Sequence, residues 1–160
     1  MSRMTESIEV DVPVRVAYDQ WTQFESFPKF MDGVDKVEQI DDKRLEWTAT
    51  IAGKTKHWCA EIVEQQPDKV VAWRSTDGAR NDGEVRFEPV TAERTRIVLE
   101  LDVDPDGLIE TAGDALGIVE RQVRGDLERF REFIELRREP TGAWRGRVEE
   151  GRVERTSIES

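Results

Sequence analysis

From Val34 to Val103 apolar residues recur at every second position, and no stretch of helical spacing interrupts them. Period two is the mark of strands with one face buried. Val34 to Ile40 is one such run, and Leu45, Trp47, Ala49 and Ile51 form the next. Ala52-Gly53-Lys54 then turns the chain into Trp58, Ala60 and Ile62, which Gln66-Pro67-Asp68 terminates. Val71, Trp73 and Ser75 follow, then a loop marked by Asp77-Gly78 and Asn81-Asp82-Gly83. Val85 and Phe87, and finally Ile97, Leu99, Leu101 and Val103, complete the series. Six consecutive strands with short connections require an antiparallel meander, because a parallel pair needs a long crossover.

The flanks add three helices and one strand. Ile8, Val10 and Val12 alternate with acids before Pro13, which gives a seventh strand. Val14, Ala17, Tyr18 and Trp21 then recur at helical spacing, and Phe24, Phe27, Phe30 and Met31 around Pro28 predict a second short helix. After Pro105-Asp106-Gly107, one apolar face runs through Ile109, Ala112, Leu116, Val119, Val123, Leu127, Phe130 and Ile134. The expectation is an α+β helix-grip fold. A seven-stranded curved antiparallel sheet, with two short helices after strand 1, wraps one long C-terminal helix. The domain should span 1–138. Pro140, three glycines and alternating charge make 139–160 read as a polar, flexible tail, in which Trp144 could still anchor the first half.

One helical stripe cannot fill the concavity of such a sheet. The surplus apolar surface either packs as a solid aromatic core or lines a cavity, and the geometry favours the cavity. Its expected lining is Phe27, Phe30, Trp47, Trp58, Ala60, Trp73, Val85, Phe87 and Leu99, with Gly113, Leu116 and Gly117 of the helix opposite. The two glycines, one turn apart, either weaken the helix or leave room for a ligand.

Charge narrows the partners. The net charge is -11, and acids alternate with bases along the last helix, so a nucleic acid or an acidic membrane is disfavoured. No apolar stretch reads as a signal peptide or a membrane span, which makes a cytoplasmic location and no stable membrane insertion the default expectation. One Cys and one His build neither a disulfide nor a zinc site, and no cofactor is implied. Cys59 reads as a buried small hydrophobe, His57 as a solvent-side residue near a hairpin. No signal for oligomeric state is present.

The segments Ala17-Tyr18-Asp19-Gln20-Trp21, Phe27-Pro28-Lys29-Phe30-Met31, Gln66-Pro67-Asp68, Ala72-Trp73-Arg74-Ser75 and Gly83-Glu84-Val85-Arg86-Phe87 resemble the SRPBCC (START/Bet v 1-like) superfamily. Within it they are similar to the bacterial polyketide cyclase/dehydrase and coenzyme-Q-binding START-like group, over about Ile8 to Glu135. The resemblance implies the helix-grip fold. For function it implies one of several roles, since members include aromatase/cyclases and carriers of lipids and quinones. In the aromatase/cyclases a pocket tyrosine follows the Pro-containing helix, and an arginine precedes the strand-ending Pro-Asp. Here those positions hold Val34 and Gln65, and glutamine can orient a carbonyl but cannot shuttle protons.

Three readings follow. The first is a binding module for an apolar or amphipathic small molecule such as a polyketide, isoprenoid quinone or lipid. The second is a polyketide cyclase or dehydrase using Arg74 or Gln65. The third is a protein-interaction module whose cavity is filled by its own side chains.

Overall fold

The computed structural model describes residues 2–51, 53–78, 81–103, 115–149 and 152–154. Strand β1 (Ser2–Val10) leads into helix α1 (Val14–Trp21) and a 3-10 helix (Phe24–Lys29). Six strands follow: β2 (Val34–Gln39), β3 (Arg44–Ile51), β4 (Lys54–Gln66), β5 (Val70–Gly78), β6 (Asn81–Thr91) and β7 (Arg94–Val103). The long helix α2 spans Ala115–Arg137, and two short strands, β8 (Arg147–Glu149) and β9 (Arg152–Glu154), come last.

The sheet runs β1-β7-β6-β5-β4-β3-β2, with every neighbouring pair antiparallel. Pairing of β1 with β7 puts the chain's first strand beside the last of the meander, so β1 and β2 are the outer strands of this path. Register shifts interrupt β2–β3, β4–β5 and β6–β7. Such bulges bend a strand and raise its twist, which curls the sheet around the helix. Pro89 fits within β6 because β5 pairs only as far as Arg86, so no ladder donor is lost there.

Pro13 precedes α1, and its carbonyl accepts the amides of Val16 (3.0 Å) and Ala17 (3.2 Å). At the other end the Thr22 hydroxyl donates to the Asp19 carbonyl at 2.6 Å. The buried face of α1, with Ala17, Tyr18 and Trp21, packs on the sheet near Phe87. On α2 the buried side chains Val119, Leu127, Phe130 and Ile134 follow the predicted stripe. Phe130 is fully buried, with its ring 4.9 Å from Trp21 and 5.2 Å from Phe30. This aromatic cluster closes one end of the concavity. At the other end β3 runs into β4, and β5 into β6.

Beyond α2, residues 139–149 pack back on the domain, with Trp144 against the core as the anchor that the sequence allowed. Arg138 takes a left-handed φ of 64° and turns the chain back over α1. The Thr141 amide donates to Gln20 Oε1 (2.8 Å), and the Trp144 amide donates to Thr22 Oγ1 (3.1 Å). Arg145 bonds Asp19 and, at 2.8 Å, Asp68. Val148, fully buried, pairs with Gln65 of β4. β4 outlasts β3, whose pairing reaches only Glu61, so β8 covers an edge that would otherwise present unpaired backbone.

Candidate functional site

Among the described residues the concavity is not filled. A cavity of about 140 Å³ lies between the sheet and the first half of α2. One wall is aromatic. Trp47 and Trp58 face each other across β3 and β4 and stack with ring centroids 5.7 Å apart and planes 7° from parallel. Phe27, held by the 3-10 helix, lies 5.7 Å from Trp47. Trp73 of β5 extends the wall, with its indole N–H donating to Asn81 Oδ1 at 3.3 Å. It lies across Gly83 of β6: a Cβ there would sit 3.0 Å from the Trp73 ring and 2.5 Å from the Glu100 carbonyl oxygen.

Of the residues expected to line the cavity, Phe27, Trp47, Trp58, Trp73 and Leu99 do so. Phe30, Ala60, Val85 and Phe87 do not. All four are buried, but in packed core: Phe30 lies 5.2 Å from both Phe130 and Phe133, and Phe87 meets Tyr18 edge-on at 5.4 Å. Gly113 and the Leu116 side chain lie outside the described residues. Gly117 is in the first turn of α2, half-buried, and is not among the lining residues. The helix instead contributes Val119, Gln122, Val123, Asp126 and Leu127.

Neither catalytic candidate reaches this space. Arg74 is on the outer face of β5, largely exposed, 3.7 Å from Glu61. Gln65 is buried but at the closed end, because the bulge between Ile62 and Glu64 switches the inward side of β4 from even to odd positions. Among the described residues its Nε2 has no hydrogen-bond partner, and neither do the buried Tyr18 hydroxyl and Asp68 Oδ1. Burial pushes the Tyr18 phenol up to about 12, against the opposing pull of the Arg145 charge. Val34, at the position of the resemblance's tyrosine, does line the cavity. His57 is exposed and meets Thr48 Oγ1 at 3.1 Å, as expected of a solvent-side residue. Cys59 is half-buried, a little more open than the sequence suggests.

The residue that sequence reasoning missed is Asp126. It lines the cavity, and Oδ1 accepts from the Asp32 amide (3.0 Å), Gln122 Nε2 (3.2 Å) and Arg129 Nη2 (2.5 Å). Burial pushes its carboxyl up, opposed first by the Arg129 bond and then by the Asp32 amide. Arg129 also donates to the Phe30 carbonyl at 3.1 Å, which ties α2 to the chain before β2. Among the described residues Asp126 is the one ionisable side chain in the lining. The available signal was a pair of polar residues, Gln122 and Asp126, spaced four apart on the flank of the apolar stripe.

Residues 10–132 match the family described as polyketide cyclase / dehydrase and lipid transport. The chain belongs to that family. An uncharacterised 17.2 kDa protein of Streptomyces lincolnensis is 50% identical over 149 residues, covering 92% of this chain and 99% of the relative. A solved structure from Deinococcus radiodurans superimposes with a TM-score of 0.67 at 30% identity, covering 85% of this chain and 98% of that one. The Zhui aromatase/cyclase of a Streptomyces species gives 0.72 at 20% identity, over 89% and 98% of the two chains. This last likeness establishes the shared helix-grip fold of the family. Among the described residues no helix is long and apolar enough to cross a membrane, and no group of His, Cys, Asp and Glu is placed to hold a metal.

Proposed function

We infer that this family member binds a small apolar or amphipathic molecule in the cavity between sheet and α2. The observation that carries this reading is the lining itself: a stacked Trp47–Trp58 pair and Phe27 facing aliphatic side chains across unfilled space. A domain with no use for a cavity gains dispersion and apolar burial by filling it, so an unfilled aromatic pocket supports this reading. A ligand that fills it gains about 25 cal/mol per Å² of apolar area, before the entropic cost of association.

Ala49 is 1% exposed and lines the cavity from β3. Ala49→Phe should occupy the space with the protein's own ring and lower uptake of an apolar fluorophore at least about tenfold, while leaving the fold intact by circular dichroism. Trp47→Ala should also weaken uptake, by removing the stacked partner. Native mass spectrometry of the purified protein should show a hydrophobic passenger in wild type that Ala49→Phe lacks. Equal uptake in all three proteins would place the ligand elsewhere.

A cyclase or dehydrase reading has one observation in its favour, the Asp126 carboxyl in the lining. It moves the chemistry from Arg74 and Gln65 to Asp126 as the group that would handle a proton. Its test is turnover of a poly-β-ketone thioester that Asp126→Asn abolishes.

A further inference from the structure

The polar groups of the cavity carry a pattern that the apolar wall does not. Three are placed there: Asn81 of β6, and Gln122 and Asp126 one turn apart on α2. Every hydrogen bond made by Asp126 goes to Oδ1, and Oδ2 has no partner among the described residues. Gln122 spends its Nε2 on Asp126, and among the described residues its Oε1 has no donor. Asn81 accepts the Trp73 indole N–H at its Oδ1, and among the described residues its amide NH2 has no acceptor. The unspent capacity on α2 therefore consists of acceptors, and the unspent capacity on β6 is a neutral donor.

Among the described residues, no Lys, Arg or His lines the same surface. Arg129 is near, but its guanidinium is engaged by Asp126 Oδ1 and the Phe30 carbonyl. A carboxylate brought into this space would lose its hydration with no cation to replace it, beside an ionisable carboxyl of like sign. A hydroxyl meets the opposite situation, because it supplies the proton that Asp126 Oδ2 and Gln122 Oε1 lack, and hydrogen bonds to charged groups are the stronger ones.

We propose that the cavity selects neutral, hydroxyl-bearing aromatic or polycyclic ligands, held through Asp126 and Gln122, and rejects ligands of the same shape that carry a carboxylate. This rests on the reading of the cavity as a ligand site and adds the chemistry of the group it recognises. Phenols and alcohols fall inside the class, whereas free fatty acids and aromatic acids fall outside it.

The test uses three probes of one ring system, naphthalene, 2-naphthol and 2-naphthoate, titrated calorimetrically into the full chain at neutral pH. In wild type, 2-naphthol should bind at least about tenfold more tightly than naphthalene, and 2-naphthoate more weakly than either. Asp126→Asn should bring the ratio of 2-naphthol to naphthalene affinity down toward one, and measurable naphthalene binding by the variant reports that the cavity is intact. Arg80, next to Asn81 in the chain, lies outside the described residues, so Arg80→Ala is measured in parallel. If 2-naphthoate binds as well as 2-naphthol, and Arg80→Ala removes that binding, the cavity takes anions and the proposal is wrong. If 2-naphthol and naphthalene bind equally, the cavity is a ligand site without hydroxyl recognition, and only this inference fails. Binding of none of the three overturns both readings.

Discussion

Arg145→Met should cost about 2–3 kcal/mol of stability at neutral pH, an effect set by what the substitution leaves behind rather than by what it removes. Asp19 is 4% exposed, and Arg145 is its close partner; the second cation, Arg15, lies 3.7 Å away on a largely exposed side chain. Without Arg145 a buried carboxylate remains with little to offset its lost hydration. Asp68 loses its 2.8 Å bond, and the Tyr18 ring loses a guanidinium 5.5 Å from its centre.

The pH dependence identifies the cause. Burial already pushes the Asp19 carboxyl above its ordinary value of 3.8, with Arg145 pulling the other way. Removing Arg145 lifts it further. A carboxyl whose folded value is raised binds more protons in the native than in the unfolded state, so stability falls as pH rises through that window. The deficit of Arg145→Met relative to wild type should therefore be complete at neutral pH and shrink as pH falls toward 3.8. Urea melts across this range check the sign. Asp19→Asn made in the Arg145→Met background should recover much of the loss at neutral pH. A deficit that does not change with pH would mean that Arg145 acts through packing alone.

Arg145 also shows why part of the fold was illegible in the sequence. The alternation from Val34 to Val103 and the stripe on α2 are local periodicities, and each is visible without knowledge of the rest of the chain. The meander, the curl and the gripped helix follow from them. The contact of Arg145 with Asp19 and Asp68 joins three segments remote in sequence. A stretch rich in Gly, Arg and Glu gives no periodic sign that it packs back on the domain. β8 is similarly hidden, because what holds it is the uncovered edge of β4, a property of strand lengths.

The site was legible where the alternation continued unbroken. Trp47 and Trp58 face inward at the positions that period two assigns them, and so do Trp73 and Leu99. Two things limited the rest. First, alternation tells inward from outward but not where along the concavity a side chain sits, so Phe87, inward but at the closed end, was indistinguishable from a lining residue. Second, the bulge after Ile62 changes the inward side of β4 without a Gly or Pro to mark it. Gln65 consequently sits beneath Tyr18 instead of beside the tryptophans. Asp126 was obscured by composition: in a chain where 37% of residues are charged, one more acid on a helix reads as solvated surface.

Gly83→Ala should cost about 2–3 kcal/mol and should damage the cavity as well as the sheet. The added methyl would meet the Glu100 carbonyl oxygen at 2.5 Å, Leu101 Cδ2 at 2.8 Å and Trp73 Cζ2 at 3.0 Å. The first of these is backbone of the neighbouring strand, so relief requires β6 and β7 to part where Gly83 pairs with Leu101. The other two belong to side chains that line the cavity, so relief there moves its wall and strains the Trp73–Asn81 hydrogen bond. Gly53→Ala is the matched control. Its φ of +81° costs an L-residue about 1 kcal/mol, but a Cβ there meets nothing within 4 Å. Thermal melts should rank Gly83→Ala well below Gly53→Ala, and only Gly83→Ala should shift the tryptophan emission and lower affinity for an apolar probe. The combination matters more than either result, because a glycine kept only for its turn would lower stability and leave binding alone. Loss of both from one methyl group would mean that the close approach of β5, β6 and β7 shapes the wall against which a ligand rests.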